Sequence, residues 1–283
     1  MSAAMSSAMS SANKQSRGAV WFSRLTGEAT PIAGYPASVL VADADLAGKR
    51  ARYIAVVPDP DNRFPRARDG EVGLVEGWQL ARAVQELMAA DRGSKTKTPI
   101  VAVIDVTSQA YGRREEGFGI HQALAGAAGA YAEARLAGHP VIGLIVGKAM
   151  SGAFLAHGYQ ANRLIAIRDP EVMVHAMGKA SAARITMRSV DALESLASTI
   201  PPMAYDIESY ASLGLLWRCL QVAQPDAPSA ADIDTVESSL HAALEDILAD
   251  NSRDLTSRLG AEHRQASSKV RDMLRIQWRA SQP

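Results

Sequence analysis

The chain has 283 residues, and its 30 Lys and Arg residues balance 30 Asp and Glu residues to a formal net charge of zero. This balance argues against a protein that holds nucleic acid or an anionic membrane surface by charge. The single cysteine, Cys219, rules out an internal disulfide framework and fits a reducing, cytoplasmic compartment. The longest apolar runs are far shorter than the roughly 20 residues that a membrane-spanning helix needs, and no C-x-x-C or H-E-x-x-H spacing indicates a metal site.

The N-terminal part begins with "MSAAMSSAMSSANKQSRG", which is rich in Ser, Ala and Met and lacks the apolar core of a secretory signal. We predict a disordered tail over residues 1–18. Two runs rich in Val and Ile, "PASVLVADADL" and "RARYIAVVPD", flank turn residues and predict a β-hairpin. After a proline-containing loop, the apolar spacing of "EVGLVEGWQLARAVQELMAADRG" predicts a helix, with Asp69 as its N-cap and Gly93 as its stop.

The middle of the chain, residues 99–178, alternates between predicted strands and helices. "IVAVIDV" and "PVIGLIVG" are continuous apolar runs, which is typical of strands buried on both faces. The small-residue helix "HQALAGAAGAYAEARLAG" lies between them, and the predicted strands "NRLIAI" and "EVMVHAMG" follow. Parallel strands require crossover connections of this kind, so the pattern predicts an α/β protein with a largely parallel sheet.

The last third of the chain is predicted to be mostly helical, with "LLWRCLQV" as a late strand. We expect residues 19–283 to form a single domain, in which 229–283 are a helical C-terminal extension. The second helix of that extension, "DLTSRLGAEHRQASSKVRDMLRIQW", is the more polar one. Its apolar residues are expected to dock on the body of the protein or on a partner; they are Leu255, Leu259, Val270, Leu274 and Trp278.

The stretch "GKAMSGAFLAHG" follows an apolar run, precedes a predicted short helix and allows three interpretations. Ser151 can be the nucleophile of a G-x-S-x-G elbow, although alanines stand where that motif has glycines, with His157 or His175 as the base. Ser151 can instead be a helix N-cap among small packing residues. In the third interpretation, the backbone N–H groups of Gly152 and Ala153 form an oxyanion hole.

The ordered pattern of the whole middle segment resembles the crotonase-type carboxyltransferase module. Its features are a strand ending in an acidic residue and a turn, a long small-residue helix, a second strand, a K-A-x-G/S-G-A turn and a last strand end. They correspond to Val103–Val106 with Thr107–Tyr111, Gly119–Leu136, Val141–Val146, Lys148–Ala153 and Ala176–Gly178. The resemblance implies an α/β fold with a crotonase-like ββα superhelix and C-terminal helices.

Two long segments, "GRREEGFGIHQALAGAAGAYAEARLAGHPV" and "GKAMSGAFLAHGYQANR", resemble more closely the gamma subunits of biotin-independent malonate decarboxylases. This resemblance implies a subunit of a complex that decarboxylates malonyl-S-[acyl carrier protein] to acetyl-S-[acyl carrier protein] and CO2. It implies an active site shared with a homologous beta subunit, with acyl carrier protein and acyl carrier transferase subunits as further partners. The malonyl group would arrive on a phosphopantetheine-type arm, and no cofactor would be bound directly.

The resemblance also implies which residues serve the site. Gly152 and Ala153 would supply amides that stabilise the oxyanion, while Ser151 would cap the helix or hydrogen-bond the leaving carboxylate. The implied substrate-binding residues follow the first strand and the last strand of the module: Gln109, Ala110, Tyr111, Met177 and Gly178.

Two departures from biotin-dependent relatives fall where a biotin or acyl ligand would lie. Ser151 and Gly152 replace a usual glycine pair, and "TSQ" at 107–109 replaces Pro-Gly-Phe. We therefore do not expect a biotin role, but a biotin-dependent carboxyltransferase subunit, a serine hydrolase and a non-catalytic scaffold stay open as alternatives. The "GRREEG" segment is predicted to be a solvent-exposed loop, and His175 is interpreted as a core histidine or a proton donor.

Overall fold

The computed structural model describes residues 15–281, in which seven strands form one sheet with helices packed around it. The strands are β1 (Val39–Leu46), β2 (Lys49–Val56), β3 (Ile100–Val106), β4 (Val141–Met150), β5 (Arg163–Ile167), β6 (Met173–His175) and β7 (Arg218–Leu220). The helices are α1 (Arg17–Leu25), α2 (Leu74–Ala90), α3 (Arg113–Gly117), α4 (Ile120–Leu136), α5 (Ser151–Ala156), α6 (Lys179–Ile185), α7 (Val190–Ala197), α8 (Ile207–Ser212), α9 (Ala230–Ala249) and α10 (Gln265–Ala280). No helix in this part of the chain is long and apolar enough to cross a membrane.

The sheet is mostly parallel, as the alternation of strands and helices predicted. Its order is β1-β2-β3-β4-β5-β7, and only the predicted hairpin of β1 and β2 is antiparallel. Strand β6 pairs with Lys148–Met150 at the end of β4, past the segment of β4 that pairs with β5. The end of β4 therefore lies between two neighbouring strand ends, and α5 starts there. These findings confirm the α/β class.

Small residues allow the two longest helices over the sheet centre to approach each other closely. Helix α2 packs on α4, and a Cβ atom added to Gly77 would lie only 2.8 Å from the backbone of Ala123. Beneath them, β3, β4 and β5 are buried on both faces and form the centre of the core. The long apolar runs of the sequence are the signature of such doubly covered strands.

Helix α2 differs from its predicted ends. Its N-cap is Gly73 and not Asp69, because the carboxylate of Glu76 accepts the N–H of Gly73 at 3.0 Å and starts the helix there. The helix ends at Ala90, three residues before the predicted stop at Gly93. The start of α2 is therefore fixed by the side chain of Glu76, which lies in the first turn of the helix.

The structure differs from the prediction at the end of the N-terminal tail and at the start of the last helix. Residues 1–14 of the predicted tail lie outside the described residues, whereas Arg17 and Gly18 already belong to α1. The helix predicted from Asp254 begins only at Gln265 and is preceded by two 3₁₀ turns. The buried guanidinium of Arg258 donates to two backbone carbonyls of the body and holds these turns in place.

A bulge between β3 and β4 decides where β4 ends. Ile104 pairs with Ile145, but Val106 pairs with Ala149, so two steps along β3 correspond to four steps along β4. The residue opposite the bulge is Asp105. Extra residues of this kind bend a strand and change where its following residues point.

The carboxylate of Asp105 satisfies the backbone that the bulge leaves unpaired. Its Oδ1 accepts the N–H of Lys148 at 3.1 Å, and its Oδ2 accepts the N–H of Gly18 in α1 at 3.0 Å. A Cβ atom on Gly147 would lie 2.1 Å from Oδ1, so only glycine allows this approach. Asp105 thus joins β3, β4 and α1 through one side chain.

We expect Asp105→Asn to lower the free energy of unfolding by about 2–4 kcal/mol, because an amide offers one acceptor where two N–H groups need acceptors. Urea unfolding followed by circular dichroism measures this difference. Asp234→Asn, on the exposed side of α9, is the control and should change stability by no more than about 0.5 kcal/mol. Equal midpoints for the two variants would show that the bulge does not depend on the carboxylate.

Candidate active site

The turn from β4 into α5 has a strained backbone. Ser151 has φ of +60°, one of four non-glycine residues with positive φ among those described. The N-cap position belongs to Met150, and no side chain caps α5. The interpretation of Ser151 as an N-cap is therefore wrong, because Ser151 is the first residue inside the helix and its hydroxyl is directed elsewhere.

The side chain of Gln109 accepts a hydrogen bond from the backbone N–H of Gly152, which the sequence analysis assigned to an oxyanion hole. The N–H of Gly152 donates to Oε1 of Gln109 at 2.9 Å, and the hydroxyl of Ser151 lies 3.4 Å from the same oxygen. A Cβ atom on Gly152 would lie 2.1 Å from Oε1, so glycine is required for this contact. Two segments that both depart from the biotin-dependent pattern therefore contact each other directly.

These three residues line one wall of a cavity of about 460 Å³. The rest of the cavity is mostly apolar, and among residues 15–281 no Lys, Arg, Asp or Glu lines it. Its other lining residues are Phe154, Leu155, Tyr159, Val174, His175, Ala176, Pro201, Pro202, Ala204, Tyr210, Leu213 and Leu215. The cavity can therefore hold a small acyl group among neutral hydrogen-bonding groups and apolar side chains.

His175 and Tyr210 also line the cavity. The Nδ1 of His175 lies 3.0 Å from the backbone oxygen and 3.2 Å from the backbone nitrogen of Met177, and its ring stacks on Tyr205 at 3.9 Å between centroids. Burial lowers the pKa of His175 below its ordinary value, which favours the neutral ring.

The hydroxyl of Tyr210 is buried and has no hydrogen-bond partner among the described residues, and burial raises its pKa. Tyr210 is a cavity residue that the sequence analysis did not find.

The other predicted site residues lie outside the cavity. Ala153 has no exposed surface, so its N–H cannot reach a ligand in this cavity. Ala110 is buried, and its N–H already donates to the carbonyl of Val72 at 2.9 Å. The remaining three are outside the lining of the cavity as well: Tyr111, Met177 and Gly178. Of the eight residues that the resemblance assigned to the site, the structure brings Gln109, Ser151 and Gly152 together there, and the candidate proton donor His175 lines the same cavity.

A base for Ser151 as a nucleophile is not found in this arrangement. His157 is completely buried on the far side of α5, where its Nε2 donates to the carbonyl of Val103 at 3.0 Å and its Nδ1 accepts from the hydroxyl of Tyr131 at 3.1 Å. Burial lowers its pKa to about 4, so it stays neutral. In the described part of the chain, the hydroxyl of Ser151 is hydrogen-bonded to Gln109 and to no histidine.

The "GRREEG" segment is also different from its prediction. Gly112 is the N-cap and residues 113–117 form α3, so the segment is a short helix and not a loop. Four of its residues are exposed as predicted, but Glu115 is buried. Arg114 lies over the rings of Phe64 and Phe118 in a separate cleft of about 770 Å³. No group of three or more His, Cys, Asp and Glu residues suited to a metal ion occurs within residues 15–281.

Residues 67–278 match the sequence profile of the malonate decarboxylase gamma subunit, MdcE. The chain belongs to this family. It is 66% identical to a chain of a Pseudomonas malonate decarboxylase hetero-tetramer in complex with coenzyme A, with a TM-score of 0.90 over 93% of this chain and 100% of that one. It is 63% identical to a chain of a Pseudomonas MdcD–MdcE hetero-dimer, with a TM-score of 0.86 over 93% of this chain and 99% of that one.

More distant relatives place the gamma-subunit fold among carboxyltransferases. The malonyl-S-ACP:biotin-protein carboxyltransferase MADD of Malonomonas rubra is 38% identical over 157 residues, which are 54% of each protein. The chain thus spans about half the length of that curated relative. Transcarboxylase 12S is 19% identical, with a TM-score of 0.61 over 82% of this chain and 42% of that one, and it shares the crotonase-like fold. The predicted crotonase-like architecture is confirmed.

We expect Ser151→Gly to be more stable than Ser151→Ala by about 1 kcal/mol, because only glycine removes the cost of a Cβ atom at positive φ. Urea unfolding of the two variants measures the difference. The matched pair at Ser195, on the exposed face of α7, should show the opposite order, since glycine weakens a regular helix by about 1 kcal/mol relative to alanine. The same order at both positions would contradict the strain at Ser151.

Proposed function

We propose that this chain is the gamma subunit of a malonate decarboxylase complex that converts malonyl-S-[acyl carrier protein] to acetyl-S-[acyl carrier protein] and CO2. The observation that carries the proposal is the match of residues 67–278 to the gamma-subunit family, together with a small cavity at the β4–α5 turn. The cavity has the size, the neutral donors and the apolar walls that decarboxylation of a thioester requires.

The chemistry follows from these properties. When the bond to the carboxylate breaks, its electron pair passes into the thioester and forms an enolate, and a proton then adds at carbon. Fixed donors stabilise the enolate oxygen without the cost of reorienting solvent. Apolar walls make a buried carboxylate unfavourable, because a charge without a partner loses its hydration, whereas CO2 is neutral. We propose that Ser151, Gln109 and Tyr210 are the side chains of this site that face the acyl group.

The acyl group is proposed to arrive on the phosphopantetheine-type arm of an acyl carrier protein, with an acyl carrier transferase subunit as a further component. The Pseudomonas hetero-tetramer was obtained with coenzyme A, which ends in the same kind of arm. No biotin is required in this scheme, since the thioester itself accepts the electron pair. Ser151 and Gln109 stand at the two positions where biotin-dependent relatives have other residues.

The proposed assembly is with a homologous beta subunit, as in the Pseudomonas MdcD–MdcE hetero-dimer. Helix α10 supplies a surface for it, because none of its residues is buried within the chain. Four of its apolar residues recur at helical spacing on one face and are 50–69% exposed: Val270, Met273, Leu274 and Trp278. Ile276 is also exposed but lies away from that face. A helix with such an uncovered face needs a partner surface. Of the residues expected to dock, Leu255 and Leu259 lie instead in the turns before α10.

A biotin-dependent carboxyltransferase subunit is the second candidate. The specific observation in its favour is the similarity to MADD, a malonyl-S-ACP:biotin-protein carboxyltransferase. Avidin separates the two candidates, because it inhibits transfer to biotin and leaves direct decarboxylation unchanged.

We expect the purified chain to be inactive alone and to release CO2 from malonyl-S-[acyl carrier protein] once its beta subunit is added. Labelled CO2 release measures the reaction, with each subunit alone and an avidin-treated complex as controls. Activity of this chain without a partner would contradict the shared site, and an inactive complex would contradict the proposed function.

We expect Trp278→Ala and Leu274→Asp each to weaken binding to the beta subunit by at least about tenfold, because large apolar anchors dominate the binding energy of interfaces. Sedimentation velocity over a concentration series measures the dissociation constant. Arg279→Ala, on the opposite face of α10, is the matched control and should change it less than about threefold. Unchanged assembly of the first two variants would show that α10 is not the docking surface.

A further inference from the structure

The orientation of the Gln109 carboxamide is fixed by its neighbour. A backbone N–H can only donate, so the end of the carboxamide that lies 2.9 Å from the nitrogen of Gly152 must be the oxygen. The amino group of Gln109, Nε2, is therefore the opposite end. No residue within 15–281 accepts a hydrogen bond from Nε2, although Gln109 lines the cavity.

The backbone of Gln109 is held as firmly as its side chain. Val72 donates to the carbonyl of Ser108 at 3.0 Å and accepts from the N–H of Ala110 at 2.9 Å, so the residues on both sides of Gln109 are pinned to one neighbour. The carbonyl of Gln109 itself accepts the N–H of Tyr111 at 2.9 Å. A donor that is held in place before the ligand arrives loses little freedom on binding, which is the property that makes an oxyanion hole effective.

We propose that the Nε2 amino group of Gln109, and not the backbone N–H of Gly152, is the donor of this chain to the acyl oxygen bound in the cavity. This role rests on the proposed function. The N–H of Gly152 acts indirectly, because it orients the carboxamide of Gln109. By donating to Oε1 it also polarises the carboxamide, which makes Nε2 a stronger donor. Gly152 is then a positioning residue. Tyr210 also lines this cavity, but its hydroxyl oxygen is itself buried, so Nε2 of Gln109 is the donor that faces the ligand.

Two features of the sequence are explained together by this arrangement. Glycine is needed at 152 because any Cβ atom would lie 2.1 Å from Oε1. Ser151 stands beside it with a positive φ, and its hydroxyl lies 3.4 Å from the same oxygen. The two positions and Gln109 therefore form one unit in which the side chain takes over the role of a free backbone amide.

The test uses the complex with the beta subunit and two variants of nearly unchanged volume. Gln109→Glu keeps an acceptor for Gly152 and removes the donor, while Gln109→Met removes both. We expect kcat for malonyl-S-[acyl carrier protein] to fall about 100-fold in each, with KM changing much less, because the enolate needs the donor more than the substrate does. Gln85→Glu, on the exposed face of α2, is the matched control with kcat within about twofold of wild type.

The pH profile distinguishes a donor from a packing role. Protonation gives the carboxyl group of Gln109→Glu an O–H that can donate, so the activity of this variant relative to wild type should rise by about tenfold as pH falls. Gln109→Met has no group that titrates there and should show a constant ratio. Variants that keep kcat within about threefold of wild type, or equal pH profiles for the two variants, would overturn the proposal.

A binding measurement keeps this role separate from the proposed function. Acetyl-CoA carries the acetyl group with its thioester oxygen and CoA lacks it, so calorimetric titration of the complex with both probes, in wild type and in the Gln109 variants, measures how binding of that group depends on Gln109. Wild type should prefer acetyl-CoA by about fivefold, and both Gln109 variants should lose this preference. If the wild-type complex does not decarboxylate, the proposed function is wrong, and this titration still decides the role of Gln109: a preference retained in Gln109→Met would overturn it.

Discussion

The carboxylate of Asp105 holds the geometry on which the candidate site depends. It accepts one backbone N–H from the bulge in β4 and one from α1, so it joins three segments that are far apart in the chain. The bulge lets β4 pair with β3 and β5 along its length and with β6 at its end. Without the two residues that the bulge adds to β4, the turn at Ser151 would lie at a different position along the strand direction, away from the segment that follows β3.

The second constraint is the contact between Gln109 and Gly152. Each residue follows a different parallel strand, and parallel neighbours end at the same edge of a sheet, so their loops meet. The close approach requires glycine at position 152, because a Cβ atom there would clash with Gln109. Since Oε1 of Gln109 accepts the N–H of Gly152, the amino group of the Gln109 side chain points away from that contact. A strained serine is stable beside them because the surrounding packing determines the turn. The same packing buries Ala153 completely.

The cavity and the exposed face of α10 are the two features that the proposed assembly with a beta subunit depends on. Within the described part of the chain, the cavity is lined by neutral donors and apolar side chains and by no charged side chain. Helix α10 leaves an apolar stripe exposed at the other end of the chain. Both features fit the family to which the chain belongs, since its Pseudomonas members were crystallised as MdcD–MdcE assemblies.

The sequence by itself determined the α/β class, the hairpin, the doubly buried strands and the family. These features depend on periodicity and on long ordered motifs, which are local properties of the chain. The family resemblance also predicted that the β4–α5 turn and Gln109 lie together, and the two are in contact. Helix ends were less well determined: Glu76 moved the start of α2, and Arg258 held the segment before α10 in turns.

Only the tertiary structure decided which hydrogen-bonding groups are free. The N–H of Gly152 is free in any local description of a helix start, yet a side chain 43 positions earlier accepts it. Tyr210 looks like an ordinary residue of a short helix until the fold buries its hydroxyl without a partner at the cavity. Whether a donor is satisfied depends on contacts between segments remote in sequence, and no pattern within one segment contains that information.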